Sequence, residues 1–149
     1  MESCKELKQC LCCTSENLRT ILDLGKQSPV NNYNITEKYP LKLNVCLDCS
    51  HAQLSHSVNP DILFKDYPYM SGVSKTMREY YQTFAFEVDL LISKIGTVSD
   101  KKPSVYEIAC NDGAQLDEFK ALGFETFGID PAENLHAEAS QRHEITCGY

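Results

Sequence analysis

The sequence has no run of basic residues and no long apolar segment. Its 149 residues carry 14 Lys and Arg against 21 Asp and Glu, a formal net charge of −7, so no surface for nucleic acid or for an anionic membrane is expected. The first ten residues, MESCKELKQC, lack an apolar core of signal-peptide length, and no transmembrane run follows. We therefore predict a cytoplasmic protein with no membrane or nucleic-acid partner.

The composition is that of a globular protein, with 42% hydrophobic and 23% charged residues. A chain of this length forms one ordinary domain or two small ones. Eight cysteines are present. In a secreted protein they would indicate disulfides, whereas in a reducing compartment paired cysteines more often bind metal.

Four of the cysteines form two C-x-x-C pairs, Cys10 with Cys13 and Cys46 with Cys49. Each pair can present both sulfurs to one ion, and zinc takes four such ligands at tetrahedral corners. The spacing predicts one zinc bound by these four residues, with Cys12 outside the site. A closed set of four thiolates is structural rather than catalytic, and it stabilises a segment with little core of its own. The alternatives are two disulfides or buried free thiols.

Short strands are predicted around the two cysteine pairs. Residues 19–25 and 39–45 have strand-like patterns, residues 28–34 are turn-rich, and residues 50–56 (SHAQLSH) can form the return strand of a hairpin. The layout is zinc-ribbon-like, and we assign residues 1–73 to this first domain.

Residues 74–96 have the clearest helical pattern. Ser74 or Thr76 can cap the start of the helix, and Gly96 suits its end. The apolar residues at steps of three and four form one stripe: Met77, Tyr81, Phe84, Val88, Leu91 and Ile95. We predict a linking helix over residues 74–96, followed by a linker at 97–103.

Residues 104–149 alternate between strand and helix patterns. Strands are predicted at 104–110 and 124–130, and helices at 114–123 and 131–143. This βαβα order predicts a parallel sheet and an α/β fold class. This pattern predicts the start of a Rossmann-like sheet. The sequence stops near the third strand, so we expect the sheet to be truncated.

The loop after the first of these strands, in YEIACNDG, carries candidate ligand-binding residues. Glu107 ends the strand, Asn111 tolerates positive φ, and Gly113 allows close approach at the start of a helix. Asp130 ends the next strand, where a carboxylate can accept both ribose hydroxyls of an adenosine. The G-x-G-x-x-G fingerprint is absent, so S-adenosylmethionine fits better than a dinucleotide. The alternative is a tight turn that binds no ligand.

Taken in order, these motifs resemble one family, the sugar C-methyltransferases that act on nucleotide-linked deoxy-keto sugars. Its members carry an N-terminal zinc-binding domain before a class I S-adenosylmethionine-dependent methyltransferase domain. The resemblance covers nearly all of this chain but only the front portion of a family member. The segments that carry it are CLCC, ILDLGKQSPVNNY, CLDCSHAQLSH, ILFKDYPYMSGVSKTMREYY, YEIACNDGAQL and GIDPAEN.

The resemblance implies roles for further residues. In the family, the YPYMSGVS segment faces the ligands at the junction of the two domains, so Tyr67, Tyr69 and Ser71 are expected near substrate or cofactor. The alternative is that the tyrosines only pack between domains. The implied cofactor-binding residues, with Ala109 standing where glycine is frequent, are Glu107, Ala109, Asn111, Gly113 and Asp130.

The catalytic base is left unassigned. Carbon methylation in the family needs a base that removes a proton beside the sugar ketone, so that the enolate can attack the methyl group. The family's Glu-His pair lies much further along the chain, and HEIT at 143–146, expected to be a helix end, does not match it.

We therefore expect a fragment, a split gene product or a degenerate relative. A C-terminal methyltransferase half would complete it, or the chain would self-associate through an open sheet edge after residues 124–130. A second class of function stays open, a non-catalytic zinc-stapled binding or assembly module.

Overall fold

The computed structural model describes residues 2–29, 36–96 and 102–149. The chain is mixed α/β and divides into two compact units, Met1–Leu63 and Phe64–Tyr149. The predicted turn at 28–34 and the predicted linker at 97–103 lie largely outside the described residues. In chain order the elements are β1 (Cys4–Glu6), β2 (Leu18–Gln27), β3 (Tyr39–Cys46), β4 (Ala52–Leu54), β5 (His56–Val58), α1 (Pro60–Phe64), a 3-10 helix (Ser71–Val73), α2 (Lys75–Ile95), β6 (Ser104–Ile108), α3 (Ala114–Ala121), β7 (Glu125–Asp130), α4 (Glu133–Ala139) and β8 (Glu144–Cys147).

The first unit contains two small antiparallel sheets, one of order β2–β3–β4 and one that pairs β1 with β5. The predicted strands at 19–25 and 39–45 are confirmed as parts of β2 and β3. The return strand predicted at 50–56 is confirmed over Ala52–Leu54, which pairs antiparallel with β3, but it is shorter than predicted because the chain changes sheets at Ser55. The N–H of Ser55 donates to the carbonyl of Lys42 on β3, while its own carbonyl accepts from the N–H of Leu7 after β1.

Few apolar side chains are buried in the first unit. Among its described residues, the buried hydrophobic ones are Cys10, Tyr39 and Cys46. The strand β2 has no buried residue, and Ile21, Leu22 and Leu24 are about half exposed. Burial of apolar surface is the main stabilising contribution in most folds, so this unit needs another source of stability.

The second unit is built on a parallel sheet of order β6–β7–β8. The predicted alternation of strands and helices is confirmed, with one correction at its end. The helix predicted over 131–143 is shorter, because α4 ends at Ala139 and residues 144–147 form β8. The β-branched Ile145 and Thr146 favour a strand. The strand β8 pairs along β7, so the edge expected to be open there is occupied.

The helix α2 begins and ends as predicted, but the face it buries overlaps the predicted stripe only in part, at Tyr81 and Val88. Ser74 caps its first turn by accepting from the N–H of Met77, and Gly96 follows its last residue with φ of 79°. Tyr81 and Ala85 are buried, whereas Phe84, Leu91 and Ile95 of the predicted stripe are exposed. Within the described parts of the chain, no helix combines the length and apolarity needed to cross a membrane.

The core of the second unit lies between α2, α3 and one face of the sheet. Its members are Ala85, Phe119 and Phe124, with Val88, Ile92 and Val105 packed against them. The opposite face of the sheet carries Tyr106 and Ile108, which are 74% and 86% exposed. Tyr106 stacks on Phe127 with ring centroids 4.7 Å apart. The described residues therefore leave an apolar face of a parallel sheet open to solvent.

The boundary between the units differs from the predicted one. The first domain was assigned to residues 1–73 and α2 to a separate link, whereas the structure divides the chain after Leu63. Residues 65–72 belong to the second unit because their backbone bonds to it; the carbonyl of Lys65, for example, accepts from the N–H of Glu133. The helix α2 also belongs there, since Ala85 packs in its core.

Candidate functional site

The four cysteines predicted to bind zinc lie together. Their sulfur atoms are all within 4.8 Å of one another, with 3.6 Å between the sulfurs of Cys10 and Cys49 and 3.6 Å between those of Cys13 and Cys46. Four sulfurs about 2.3 Å from one zinc would lie roughly 3.8 Å apart, whereas a disulfide bond is about 2.05 Å long. The geometry fits one tetrahedral metal ion. Cys12 is exposed and lies outside the group.

Backbone N–H groups favour the thiolate form of the first cysteine in each pair. The N–H of Cys13 bonds to the sulfur of Cys10 and lowers the pKa of that thiol. In the second pair, the N–H of Cys49 has the largest effect and lowers the pKa of Cys46 to about 7. A metal binds the thiolate form, so the backbone favours the form that binds at Cys10 and Cys46. At the second cysteine of each pair the backbone N–H bonds from Ser15 and His51 are outweighed by the neighbouring sulfurs and by burial, so the pKa of Cys13 is raised and that of Cys49 is raised to about 12.

Gln53 supports the first cysteine pair and was not singled out from the sequence. Its side chain is buried, accepts a hydrogen bond from the N–H of Leu11 at 2.8 Å, and donates one to the carbonyl of Gln9 at 3.0 Å. These two backbone groups flank Cys10. Side chains that orient metal ligands in this way affect metal affinity strongly. The alternating pattern of SHAQLSH places Gln53 on a strand but gives no sign of this contact.

The second unit contains a cavity of about 570 Å³ beside the carboxyl ends of β6 and β7. Among the described residues that line it, none is Lys, Arg or His, and Phe64, Tyr81 and Tyr149 add aromatic surface. Gly113, the one implied ligand residue outside the lining, lies at the start of α3. The predicted residues that the structure brings together here are Tyr67, Tyr69, Ser71, Glu107, Ala109, Asn111 and Asp130.

Glu107 presents an unpaired carboxylate oxygen in the cavity wall. Its Oε2 is buried and has no hydrogen-bond partner among the described residues. Burial, and to a lesser degree the negative charges of Asp112 and Asp130, raise the pKa of Glu107 to about 7. Buried polar atoms in folded proteins nearly always have a partner, so this oxygen is suited to a hydrogen-bond donor or positive group of a bound molecule.

Asp130 both shapes the cavity and faces it. Its Oδ2 accepts from the N–H of Asn111 and its Oδ1 from the N–H of Ala132, each at 2.8 Å. A carboxylate has about four acceptor positions, so two remain for the ribose hydroxyls that the sequence analysis assigned to it. The same side chain therefore fixes the loop after β6.

The loop after β6 has an unusual backbone. Ala109, Asn111 and Gly113 all have positive φ, of 61°, 52° and 77°. Glycine at 113 also serves packing, because a Cβ there would lie 2.9 Å from Cδ2 of His143. His143 is buried between Thr126 and Asp117, to which its ring nitrogens bond at 2.8 and 2.9 Å. The close approach at Gly113 is thus made to this histidine.

Two further side chains, which the sequence did not predict as site residues, form hydrogen bonds to the cavity wall. Asp112 accepts from the hydroxyl of Ser71 and the N–H of Gly72, and Asn134 bonds to the backbone of Tyr67. Asp112 lies inside the NDG turn and could have been noted there. Asn134 is an exposed amide on α4, and no sequence pattern marks it.

Comparison with known proteins agrees with the cysteine cluster as a zinc site. A family model described as "Putative zinc binding domain" matches residues 10–64. C-methyltransferase NovU of Streptomyces niveus is 33% identical over 104 residues, which cover 70% of this chain and 24% of that protein. The chain thus spans about a quarter of the length of the curated relative it matches. Both matches support a relationship of this chain to the N-terminal portion of C-methyltransferases.

Proposed function

We propose that this chain is the cofactor-binding front portion of an S-adenosylmethionine-dependent C-methyltransferase that acts on a nucleotide-linked deoxy-keto sugar. The likeness to a C-methyltransferase supports methyl transfer. The observation that supports S-adenosylmethionine as the cofactor is the cavity. It combines two carboxylates and several aromatic rings with no basic side chain among its described lining residues.

The charge of the cavity favours a cationic ligand over a phosphorylated one. Dinucleotides and nucleoside triphosphates bind through basic side chains and helix N-termini, and the lining offers Glu107 and Asp130 instead. When bound, S-adenosylmethionine supplies a methyl group activated by a sulfonium. The rings of Tyr67 and Tyr69 can face that positive charge through cation–π contacts.

Each carboxylate has a defined role in this proposal. Glu107 accepts a hydrogen bond from the ligand's ammonium group through its unpaired Oε2. Asp130 accepts the ribose hydroxyls at positions that its two backbone bonds leave open. The phosphates of the nucleotide sugar remain outside this acidic cavity, with only the sugar near the methyl group.

The zinc acts in this proposal as a structural ion. Four thiolates at tetrahedral corners leave no open position for substrate or water, and the cluster contains four cysteines. The ion therefore stabilises the first unit, which has little apolar core, and takes no part in methyl transfer.

Calorimetric titration of the purified chain with S-adenosylhomocysteine tests the cofactor, with NAD and ATP as comparison ligands. We expect S-adenosylhomocysteine to bind and the other two not to compete. Asp130→Ala should weaken binding about tenfold or more, because hydrogen bonds to a charged group are lost. Glu125→Ala is the matched control, since Glu125 is exposed at the opposite end of β7.

Radiolabelled methyl transfer to a panel of nucleotide-linked keto sugars tests the reaction. We expect transfer when a C-terminal methyltransferase portion is supplied, and none by these 149 residues by themselves, because none of their residues matches the family's base. Failure of S-adenosylhomocysteine to bind would refute the proposal. It would favour the alternative function, a non-catalytic binding or assembly module stabilised by zinc.

A further inference from the structure

An irregular segment forms one wall of the cavity. Residues 65–72, which we call the strap, carry three cavity-lining side chains, Tyr67, Tyr69 and Ser71. Apart from the 3-10 helix that begins at Ser71, the strap has no regular structure. Backbone polar groups need hydrogen-bond partners, so the strap is positioned by whatever bonds to its backbone.

One end of the strap is bonded to α4. The N–H of Tyr67 donates to Oδ1 of Asn134 at 3.0 Å, and Nδ2 of Asn134 donates to the carbonyl of Tyr67 at 2.9 Å. One side-chain amide thus satisfies both backbone groups of a tyrosine, as a neighbouring strand would. The adjacent Lys65 and Glu133 form an ion pair at 3.0 Å.

The other end of the strap is bonded to the loop after β6. Oδ1 of Asn111 accepts from the N–H of Ser71 at 2.9 Å, and its Nδ2 donates to the carbonyl of Tyr69 at 3.0 Å. Oδ2 of Asp112 accepts from the N–H of Gly72 at 2.9 Å. A Cβ at Gly72 would lie 2.8 Å from this same oxygen, so the contact requires glycine.

The two ends differ in one respect that matters for function. Asn111 itself lines the cavity, whereas Asn134 does not. Replacing Asn111 would change both the strap and any direct contact with a ligand. Replacing Asn134 changes only what holds Tyr67, so its effect on binding reports the position of the strap.

We propose that Asn134 is a positioning residue, which holds the backbone of Tyr67 so that the tyrosine ring forms the cavity wall that the cofactor contacts. This inference rests on the proposed function, because the ligand is taken to be S-adenosylmethionine. Asn134 acts through two hydrogen bonds, and their loss lets the strap move away from α4 while Asn111 and Asp112 still hold its far end.

Two substitutions of Asn134 and one control substitution separate the contributions of its two hydrogen bonds to Tyr67. Asn134→Leu removes both bonds, and Asn134→Asp keeps an acceptor for the N–H of Tyr67 but loses the donor. Gln141→Leu is the control, because Gln141 is an exposed amide shortly after α4 whose side chain makes no hydrogen bond to the described residues. Thermal melting and circular dichroism establish that each variant is folded.

Amide hydrogen exchange at Tyr67 and the dissociation constant of S-adenosylhomocysteine are measured for each chain. We expect Asn134→Leu to speed exchange at Tyr67 and to weaken binding about three- to tenfold, as expected for the loss of one or two neutral hydrogen bonds. Asn134→Asp should restore part of both properties, and Gln141→Leu should match the unsubstituted chain.

The outcomes separate this inference from the proposed function. Unchanged exchange at Tyr67 in Asn134→Leu overturns the inference, as does faster exchange with undiminished affinity. If the unsubstituted chain does not bind S-adenosylhomocysteine, the proposed function is refuted, and Asn134 then has no role in binding that ligand. The exchange rates at Tyr67 alone then decide whether Asn134 holds the strap. If Asn134→Leu does not fold, Asn134→Asp and the control decide the question.

Discussion

The two units of this chain reach stability by different means. Among its described residues, the first has two cysteines in a set of three buried hydrophobic residues and gathers four sulfurs within 4.8 Å. The second has an apolar core of Ala85, Phe119 and Phe124 beside a parallel sheet. A small unit without a core needs a metal or a cross-link, whereas a unit with packed aromatic rings does not. One chain therefore combines a unit suited to stabilisation by a metal with a unit that has an apolar core.

Cys46→Ser should have the largest effect, because it separates the two kinds of stability. We expect loss of zinc and unfolding of the first unit, since metal binding supplies the folding free energy there. The second unit should keep its helical circular dichroism. Metal content and hydrogen exchange in β2 and β3 measure the change. Cys12→Ser should retain a full equivalent of zinc, and the reverse result for these two variants would overturn the ligand assignment.

Phe119→Ala should give the opposite pattern. Phe119 is 2% exposed and packs edge-on against Phe124 at 5.3 Å, so its truncation should destabilise the second unit by about 3–5 kcal/mol. Zinc content should not change. Urea unfolding followed by circular dichroism measures the loss. Phe86→Ala on the exposed side of α2 is the control and should have little effect; equal losses in the two variants would contradict the assigned core.

Glu107→Gln tests whether the cavity reduces the stability of the second unit. The folded-state pKa of Glu107 is about 7, above its ordinary value of 4.5. The stabilising contribution of such a group is present below the unfolded pKa and is lost as the pH rises through about 7. Because glutamine is neutral at every pH, the variant should be more stable than the unsubstituted chain at pH 8.

We expect this gain to be about 1 kcal/mol, since solvent near a partly exposed carboxyl reduces the full effect of the shift. The difference should shrink toward pH 5, where Glu107 is protonated in the folded chain. Melting temperatures across this pH range measure it. A Glu107→Gln variant less stable than the unsubstituted chain at pH 8 would contradict the burial of this charge.

Ala109→Gly should have the smallest effect. Ala109 has φ of 61°, which strains a residue with a side chain by about 1–2 kcal/mol. Glycine relieves that strain but adds roughly 0.5–1 kcal/mol of backbone entropy in the unfolded state. The net gain should be about 0.5 kcal/mol. The same substitution at Ala137, inside α4, should destabilise the chain. Denaturant midpoints of the two variants show whether each substitution raises or lowers the stability.

Local signals predicted much of this structure. The caps Ser74 and Gly96 follow from the chemistry of helix ends, and the two C-x-x-C pairs follow from the reach of a short turn. Asp130 ends β7, as predicted, and Glu107 is the last residue but one of β6; the carboxyl ends of these parallel strands meet at one edge of the sheet. Each of these signals lies within a few neighbouring residues.

Features that depend on distant partners were missed. Ser55 divides a strand because Leu7 and Lys42 bond to it from two sheets, which a seven-residue pattern does not reveal. The short strand β8 has only four residues and is defined by its pairing with β7. Asn134 bonds to backbone atoms of Tyr67. Because every residue type offers these backbone atoms, the identity of residue 67 gives no indication of the contact.

The bonds between the strap and α4 have a consequence for the order in which the chain folds. Tyr67 and Asn134 are 67 residues apart in sequence, and contacts across long loops form late because closing the loop is entropically unfavourable. During synthesis, at about 5–20 residues per second, the strap leaves the ribosome several seconds before its partner on α4. The strap can therefore bond to α4 only after the four clustered cysteines of the first unit have already left the ribosome.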